Sequence, residues 1–513
     1  MVINGCRMNR SYETGAERTP RLRACLENSV HRSGRLREGP INGRTPCLRS
    51  DWSLLTATIS RYALGVGLVS WGLVTASGAP AAATLQVQLP RELRPFPEPL
   101  PPGKSEPGFK FRGTKGWGWT PEQYLEEVPT LVSDRMNFLM NCYGSLFIGE
   151  RGSRRNEWWK PLPAATKDGF AKVIRACQDN GITFCFAVHP QLRSPRPLNP
   201  ESAEDLENFY QHYAWAQGQG VHWFSISLDD VNWGHRGPAA GGAEHAKLVN
   251  TVLGRLRQKD AGAQMIFCPV PYWGDGTKPD HRAYLEALGR DLQPDAYVFW
   301  TGDAETTSHI TLRAAESYKS IVKHRLFLWD NYPVNDHYPT LHLGPVSGRE
   351  PGLCEVIDGY MSNPMATQNQ INRIPLATCA DYAYNPWSYD PNRSIGQAIL
   401  RMCEPASHPF LPSPHSPGQS LPAPGSSKAQ CQVLKELVEA YPGFIVTGGH
   451  TSTNPVRKRF DTLIAEEGSH AAALELCHHI EDIETRLGKE FPQQFVAARK
   501  TVADDVAWMK QKL

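Results

Sequence analysis

Between residues 109 and 364 the chain repeats one pattern. A short apolar run is followed by a stretch in which apolar residues recur at helical spacing, and then by another apolar run. The clearest run is His222–Trp233. There Phe224, Ile226 and Leu228 alternate with Ser225 and Ser227, a strand signature, before Asp229 and Asp230 and a Gly-rich loop from Gly234 to Gly242. Strands are predicted likewise at Phe109–Gly116, Asn137–Cys142, Ile182–Val188, Met265–Cys268, Tyr297–Trp300, Leu326–Trp329 and Val356–Met361. Helices fall between them: one opening at Thr120-Pro121, then Lys167–Asn180, Ala203–Gln217, Ala243–Gln258, His281–Leu288 and Thr311–His324.

Eight strands alternating with helices over this length predict an α/β fold, a (β/α)8 barrel spanning 109–403. A doubly wound sheet is the alternative, but no G-x-G-x-x-G follows the first strand. Most strands end in a polar or aromatic group: His189, Asp229-Asp230, Tyr272, Trp300-Thr301, Trp329-Asp330-Asn331 and Asn363. At the carboxyl ends of barrel strands such residues read as site. After Cys403 a linker at 404–428 holds seven Pro between Pro405 and Pro424. Helical spacing then returns in Leu434, Leu437 and Val438, in Leu476, Ile480, Ile483 and Leu487, and in Phe495, Val502, Val506, Met509 and Leu513. Residues 429–513 are therefore expected to form a small C-terminal helical bundle.

Charge adds a leader to this picture. Residues 1–50 carry ten Arg and four Glu, a net of +6, while the rest holds 44 basic and 48 acidic residues. The Arg-rich head reads as disordered or as a mis-assigned start. In 51–83, Arg61 precedes the apolar run Tyr62–Val74 and an Ala-rich end at Ala81–Ala83, the layout of a secretory signal. The run is short for a membrane span. A secreted or periplasmic protein is expected, with a Pro-rich linker at 84–108 and no stable membrane partner. No basic groove or P-loop points to nucleic acid or nucleotide. The twelve Cys are scattered, and Cys142, Cys185 and Cys268 read as small buried hydrophobes. No metal and no cofactor is expected. His470, Cys477, His478 and His479 are explained by a helix, since only some of them share a face.

The candidate chemistry is the acid pair. A bare Asp-Asp surface turn would explain it blandly. At the end of a barrel strand, however, one of two repelling carboxyls holds its proton more tightly, as an acid catalyst requires. The motifs Ser-Leu-Asp229-Asp230-Val, Cys268-Pro-Val-Pro-Tyr272, Trp300-Thr-Gly302, Trp329-Asp-Asn331 with Asn335-Asp336, Leu343-Gly-Pro345 and Asn363-Pro364 stand in one order. In these the stretch Phe111–Trp387 resembles the catalytic domain of glycoside hydrolase family 84, the β-N-acetylglucosaminidases that include the O-GlcNAcases.

The resemblance implies a retaining β-N-acetylglucosaminidase in which the substrate's own acetamido group is the nucleophile. Asp229 would orient that group and stabilise an oxazoline-like intermediate. Asp230 would be general acid and then general base. Tyr272 would bond the acetamido oxygen, and Trp329 would wall the pocket with Asn331 alongside. Asp336 would bind sugar hydroxyls, and Asn363 would seat the ring. Cys268 and Trp300 lie in the matching motifs, Gly113 opens Gly113-Thr-Lys-Gly116-Trp-Gly-Trp-Thr120, which resembles a degraded form of the family's opening motif, and all three count as substrate-binding. The partner implied is a glycan or glycoconjugate containing N-acetylglucosamine. Two positions depart from the family. Gly144 stands where a sugar-contacting Lys is usual, and Thr114-Lys115 replaces an aromatic pair. Lys115 could supply the missing amine. A hyaluronidase-like endo-glycosidase and a decayed carbohydrate-binding barrel remain as alternatives.

Overall fold

The computed structural model describes residues 85–147, 156–335, 340–403, 427–443, 446–447, 450–451, 454–466 and 468–513. The Arg-rich head, the signal-like segment and nearly all of the 404–428 linker lie outside these residues, as does Asp336. Among the described residues no helix is long and apolar enough to cross a membrane.

Eight parallel strands close on themselves in sequence order. They are β1 Phe111–Gly116, β2 Phe138–Asn141, β3 Thr183–Val188, β4 Trp223–Ser227, β5 Gln264–Cys268, β6 Tyr297–Trp300, β7 Arg325–Pro333 and β8 Ile357–Asn363. The seam is β1 against β8, with Phe111 opposite Gly359 and Thr114 opposite Ser362. Between the strands run α1 Pro121–Ser133, α2 Ala164–Asp179, α3 Ala203–Gly218, α4 Pro238–Arg257, α5 Pro279–Asp291, α6 Leu312–Val322 and the single turn α7 Leu353–Val356. This is the (β/α)8 architecture expected from the alternation. Thr120 caps α1: its hydroxyl accepts from the Gln123 amide at 3.4 Å, and Gln123 Oε1 accepts from the Thr120 amide at 2.9 Å. Such a reciprocal cap is worth ~1 kcal/mol.

Strand parity sorts the side chains into two cores. Inward residues such as Phe138, Met140, Ile266, Phe299, Phe327 and Met361 fill the barrel. Their outward neighbours, such as Leu139, Phe224, Met265, Val298 and Leu328, pack under the helices. The period of two makes this sorting automatic once register is set.

The expected Gly-rich loop is shorter than its composition suggests, because α4 begins at Pro238 and takes in Gly241 and Gly242. A Cβ on Gly241 would sit 2.2 Å from the Trp233 carbonyl oxygen, and one on Gly242 2.3 Å from that of Tyr284. These glycines serve close helix packing, not a turn.

Past the barrel strands, α8 Arg373–Tyr384 and α9 Pro391–Cys403 share one core with α10 Ser427–Ala440, α11 Pro455–Ala465, α12 His470–Glu490 and α13 Val496–Lys510. Asp505 ties this bundle together. It accepts from Tyr441 Oη at 2.8 Å and Asn454 Nδ2 at 2.7 Å, and it pairs with Arg457 Nε at 2.7 Å. The Pro-rich stretch 85–108 has no helix or strand. It is not a free spacer, however. Val87 is buried in the bundle core and its amide donates to Glu439 Oε1 at 2.7 Å. Cys142, Cys185 and Cys268 are free thiols, and all three are buried.

Candidate active site

A cleft of ≈ 560 Å³ opens at the carboxyl ends of the strands. All eight strands or the loops just after them contribute. Lys115 and Trp117 follow from β1, Tyr143 from β2, Leu192 and Arg193 from β3, and Asp229 and Asp230 from β4. Cys268 and Tyr272 follow from β5, Thr301 and Glu305 from β6, Trp329 and Asn331 from β7, and Asn363 from β8.

The two acids are held apart. Asp229 is 6% exposed, and its Oδ2 accepts from Tyr143 Oη at 2.8 Å. Asp230 adopts φ +58°, a left-handed conformation that Asp tolerates better than most residues. Its Oδ1 accepts from Tyr272 Oη at 2.8 Å. One carboxyl is thus anchored toward β2 and the other toward β5. Burial and then the Asp229 charge hold the Tyr143 proton in place, so Tyr143 acts as a neutral donor.

Asp230 is exposed at the mouth, yet enough protein surrounds its carboxyl for burial to head the causes that raise its pKa. The Asp229 charge adds to this and Glu305 contributes further, while the Tyr272 hydrogen bond and Lys115 oppose it. The result favours a protonated Asp230, the state a general acid needs.

His189 sits behind the pair, 1% exposed. Its Nδ1 accepts from the amides of Gln191 at 3.2 Å and Leu192 at 3.0 Å. That leaves Nε2 to carry the proton and donate to the Asp229 carbonyl oxygen at 2.8 Å. Burial lowers the His189 pKa, so the ring stays neutral. The imidazole fixes the Asp229 backbone, and its Nε2 lies 3.7 Å from Asp229 Oδ1, too far for a hydrogen bond to the carboxylate.

Three buried polar atoms on cleft-lining residues have no protein partner: Asp229 Oδ1, Trp329 Nε1 and Asn363 Oδ1. They are two acceptors and one donor. Buried polar groups are rarely left unpaired, and the exceptions need a reason. The partner atom of each of the two acceptors is tied down, Asp229 Oδ2 by Tyr143. Asn363 Nδ2 donates to Asn331 Oδ1 at 2.9 Å, and Asn331 Nδ2 donates to the Glu305 carbonyl at 2.7 Å.

Lys115 is 1% exposed and does not reach out to solvent. It shares the inward parity of Phe111 and Gly113. Its ammonium lies 3.7 Å from the Trp329 ring centroid, 4.7 Å from that of Trp117 and 5.2 Å from that of Tyr143. Aromatic faces hold the charge without using its N–H groups as a carboxylate would.

Two expected contacts do not reach the cleft. Trp300 points outward, the parity of Val298. It is wholly buried, and its Nε1 donates to the Gly274 carbonyl at 2.8 Å. The next residue, Thr301, takes the place in the cleft. Gly113 lies below the floor, where a Cβ would fall 1.7 Å from the Phe138 carbonyl oxygen. Its lack of a side chain serves the β1–β2 contact. Asp229, Asp230, Lys115, Cys268, Tyr272, Trp329, Asn331 and Asn363 do line the cleft, while Asp336 lies outside the described residues. The sequence reading missed Trp117, Tyr143, Arg193 and Glu305. They stand in loops beyond the strand ends, where no period marks them. Of the four, Trp117 and Tyr143, each one residue past a predicted strand, carried a positional signal.

A family model described as beta-N-acetylglucosaminidase matches residues 149–411, just over half of the chain. The match begins after β2, so Lys115 and Tyr143 lie ahead of it. Two solved structures share the fold. One is a variant of an O-GlcNAc hydrolase from Thermobaculum terrenum, 21% identical over 79% of this chain and 83% of that one, with a TM-score of 0.58. The other is CpGH84B, 21% identical over 79% of this chain and 67% of that one, with a TM-score of 0.55.

Proposed function

Since the chain belongs to the β-N-acetylglucosaminidases of glycoside hydrolase family 84, hydrolases that act on N-acetylglucosamine, we propose that it cleaves β-linked N-acetylglucosamine with retention, using the substrate's acetamido group as nucleophile. The observation that carries this reading is the half-satisfied Asp229. One oxygen is locked by Tyr143 and the other is buried and free. A free buried carboxylate oxygen suits an amide N–H, and pulling on that N–H makes the acetamido oxygen more nucleophilic.

In this reaction the acetamido oxygen attacks C1. Asp230 gives its proton to the leaving glycosidic oxygen, and an oxazolinium ion forms whose charge Asp229 balances. Asp230, now a carboxylate, takes a proton from water as the water's oxygen bonds to C1 and the oxazoline ring opens. Two acids in unlike states are what this sequence demands. Tyr272 has one proton to give, and in the resting site Asp230 receives it. A protonated Asp230 is a weak acceptor, so Tyr272 can turn to the acetamido oxygen when substrate binds. Trp329 walls the acetamido group, with Asn331 and Asn363 seating the ring. Lys115 donates to ring hydroxyls in place of the Lys absent at Gly144. Asp336 is assigned to hydroxyls by resemblance alone.

The test is a chromogenic N-acetylglucosaminide and its N-fluoroacetyl analogues. Fluorine makes the acyl oxygen a weaker nucleophile, so kcat/KM should fall steadily as fluorines are added. A flat series would contradict acetamido participation. Export is proposed from the leader, with a mature start near Ala82–Thr84. N-terminal sequencing of exported protein checks it, and an intact Met1 on cytoplasmic protein would refute it.

A further inference from the structure

We propose that Asn335, which lies outside the cleft, is a positioning residue for Asn363, and that the C-terminal bundle anchors it in that role. The proposal rests on the reading above, in which Asn363 seats the sugar ring.

Strands β7 and β8 run out side by side, with Pro333 opposite Asn363. Asn331 and Asn363 line the cleft from these two ends, and Asn363 Nδ2 donates to Asn331 Oδ1 at 2.9 Å. Asn331 is also held by its bond to the Glu305 carbonyl. The backbone that follows Asn363 has left the ladder and must be held by other means. Asn335 does this. It is buried and does not line the cleft. Its Oδ1 accepts from the Ala366 amide at 2.8 Å, just past Asn363-Pro364. Its Nδ2 donates to the Thr340 carbonyl at 2.9 Å. Both ends of the amide are used on backbone, so the side chain clips the loop after β7 to the loop after β8.

The clip is fixed from its far side. Leu341 follows Thr340 and Met365 precedes Ala366, and both are buried in the core shared with the helical bundle. The Leu343 amide donates to the Tyr441 carbonyl, just past α10, at 2.9 Å. Gly344 packs so closely that a Cβ would fall 1.6 Å from the Pro442 carbonyl oxygen. In the β8 loop, Gln368 Nε2 donates to Thr501 Oγ1 at 2.9 Å, and Gln370 Oε1 accepts from the Phe495 amide at 3.0 Å. Asn372 ties that loop to itself, accepting from the Met365 amide at 3.0 Å and donating to the Met365 carbonyl at 2.9 Å. The two loops therefore meet the bundle at one end and the cleft at the other. Losing the Asn335 clip frees the chain beside Asn363 and removes no atom that lines the cleft.

The experiment is a double-mutant cycle of Asn335→Ala and Asn363→Ala, read in KM and kcat on a chromogenic N-acetylglucosaminide. Asn335→Ala, or Asn335→Leu if the smaller side chain impairs folding, should raise KM about fivefold, the worth of one neutral hydrogen bond, and leave kcat within about threefold. Because it acts through Asn363, it should add little to Asn363→Ala: the double variant's KM should lie within about twofold of that single variant's. Independent losses would multiply to roughly twenty-five-fold and would overturn the positioning role. Unchanged KM in a folded Asn335 variant would overturn it too. Gly344→Ala, or Gln370→Ala if the first does not fold, disturbs only the contact with the bundle. It should also raise KM, at least about twofold, with kcat little changed, and unchanged KM would overturn the bundle's part. If the parent protein does not turn the glucosaminide over, the hydrolase reading fails, and the same cycle is read in the Kd of N-acetylglucosamine by calorimetry. Non-additive Kd values would uphold the positioning role alone, and additive values or no binding would overturn it as well.

Discussion

Two buried aspartates at strand ends make an instructive pair. Asp330 in β7 is 1% exposed, and both its oxygens are used. Arg349 donates to Oδ1 from Nη2 at 2.7 Å and to Oδ2 from Nε at 2.9 Å, and Tyr360 Oη donates to Oδ2 at 2.8 Å. Asp330 holds the Arg349 guanidinium charged against the cost of burial. Asp229 after β4 is buried almost as deeply, yet it has one neutral donor on one oxygen and no hydrogen bond on the other. The first carboxylate is satisfied and structural. The second is kept partly unsatisfied, which costs stability and leaves a ready acceptor. What separates them is strand parity. Asp330 faces the helices, and Asp229 faces the cleft.

The largest expected effect falls on the acid beside Asp229. Asp230→Asn should lower kcat/KM by ~10²–10⁴-fold for poor leaving groups. An activated phenol needs no proton to depart and should lose far less. Equal losses for both would place the acid elsewhere.

Next comes the contrast itself. Asp229→Asn should cost ~10²–10³-fold in kcat, as loss of one preorganised electrostatic contact does, and should leave thermal unfolding nearly unchanged. Asp330→Asn should do the reverse. Breaking a buried ion pair costs about 3–5 kcal/mol, so the melting temperature drops while KM for a chromogenic substrate holds. Exchanged outcomes would invalidate the distinction between the two carboxylates.

Lys115→Met probes a smaller term. It should lower kcat/KM by roughly one to two powers of ten, the worth of a charged hydrogen bond, with little change in stability. Unchanged kinetics would mean that the ammonium only packs on Trp329.

The smallest effect is a shift in pH dependence. An acid catalyst loses activity as pH rises through its pKa. Glu305 raises the Asp230 pKa and the Tyr272 hydrogen bond lowers it. Glu305→Gln should therefore move the alkaline limb of kcat/KM to lower pH, and Tyr272→Phe should move it higher. Shifts in one common direction would contradict this electrostatic account.

Much of this was legible in the sequence, for physical reasons. Burial of strands on both faces writes apolar runs, and helices between them write the 3.6 period. The barrel, its eight strands and the Asp229-Asp230 pair followed from that. Parity at the strand ends was less legible. Trp300 and Thr301 were read together, and only the observed register shows that the tryptophan faces out. The Gly241-Gly242 pair looked like a loop because helix packing against Trp233 and Tyr284 leaves no periodic trace. Helix α11 was missed although Asn454 and Pro455 form an N-cap and first turn. Tyr143 and His189 each stand one residue past a predicted strand, but their bonds to Asp229 join segments far apart in sequence, and no local pattern encodes those.

The most direct test of the central claim is a crystal structure with an oxazoline-mimicking inhibitor bound. The account predicts the inhibitor's ring nitrogen, or the N–H it carries, within hydrogen-bond distance of Asp229 Oδ1, with Tyr143 still on Oδ2 and the acyl methyl against Trp329. An inhibitor seated with its acyl group away from Asp229, or contacting Asp230 in its place, would contradict it.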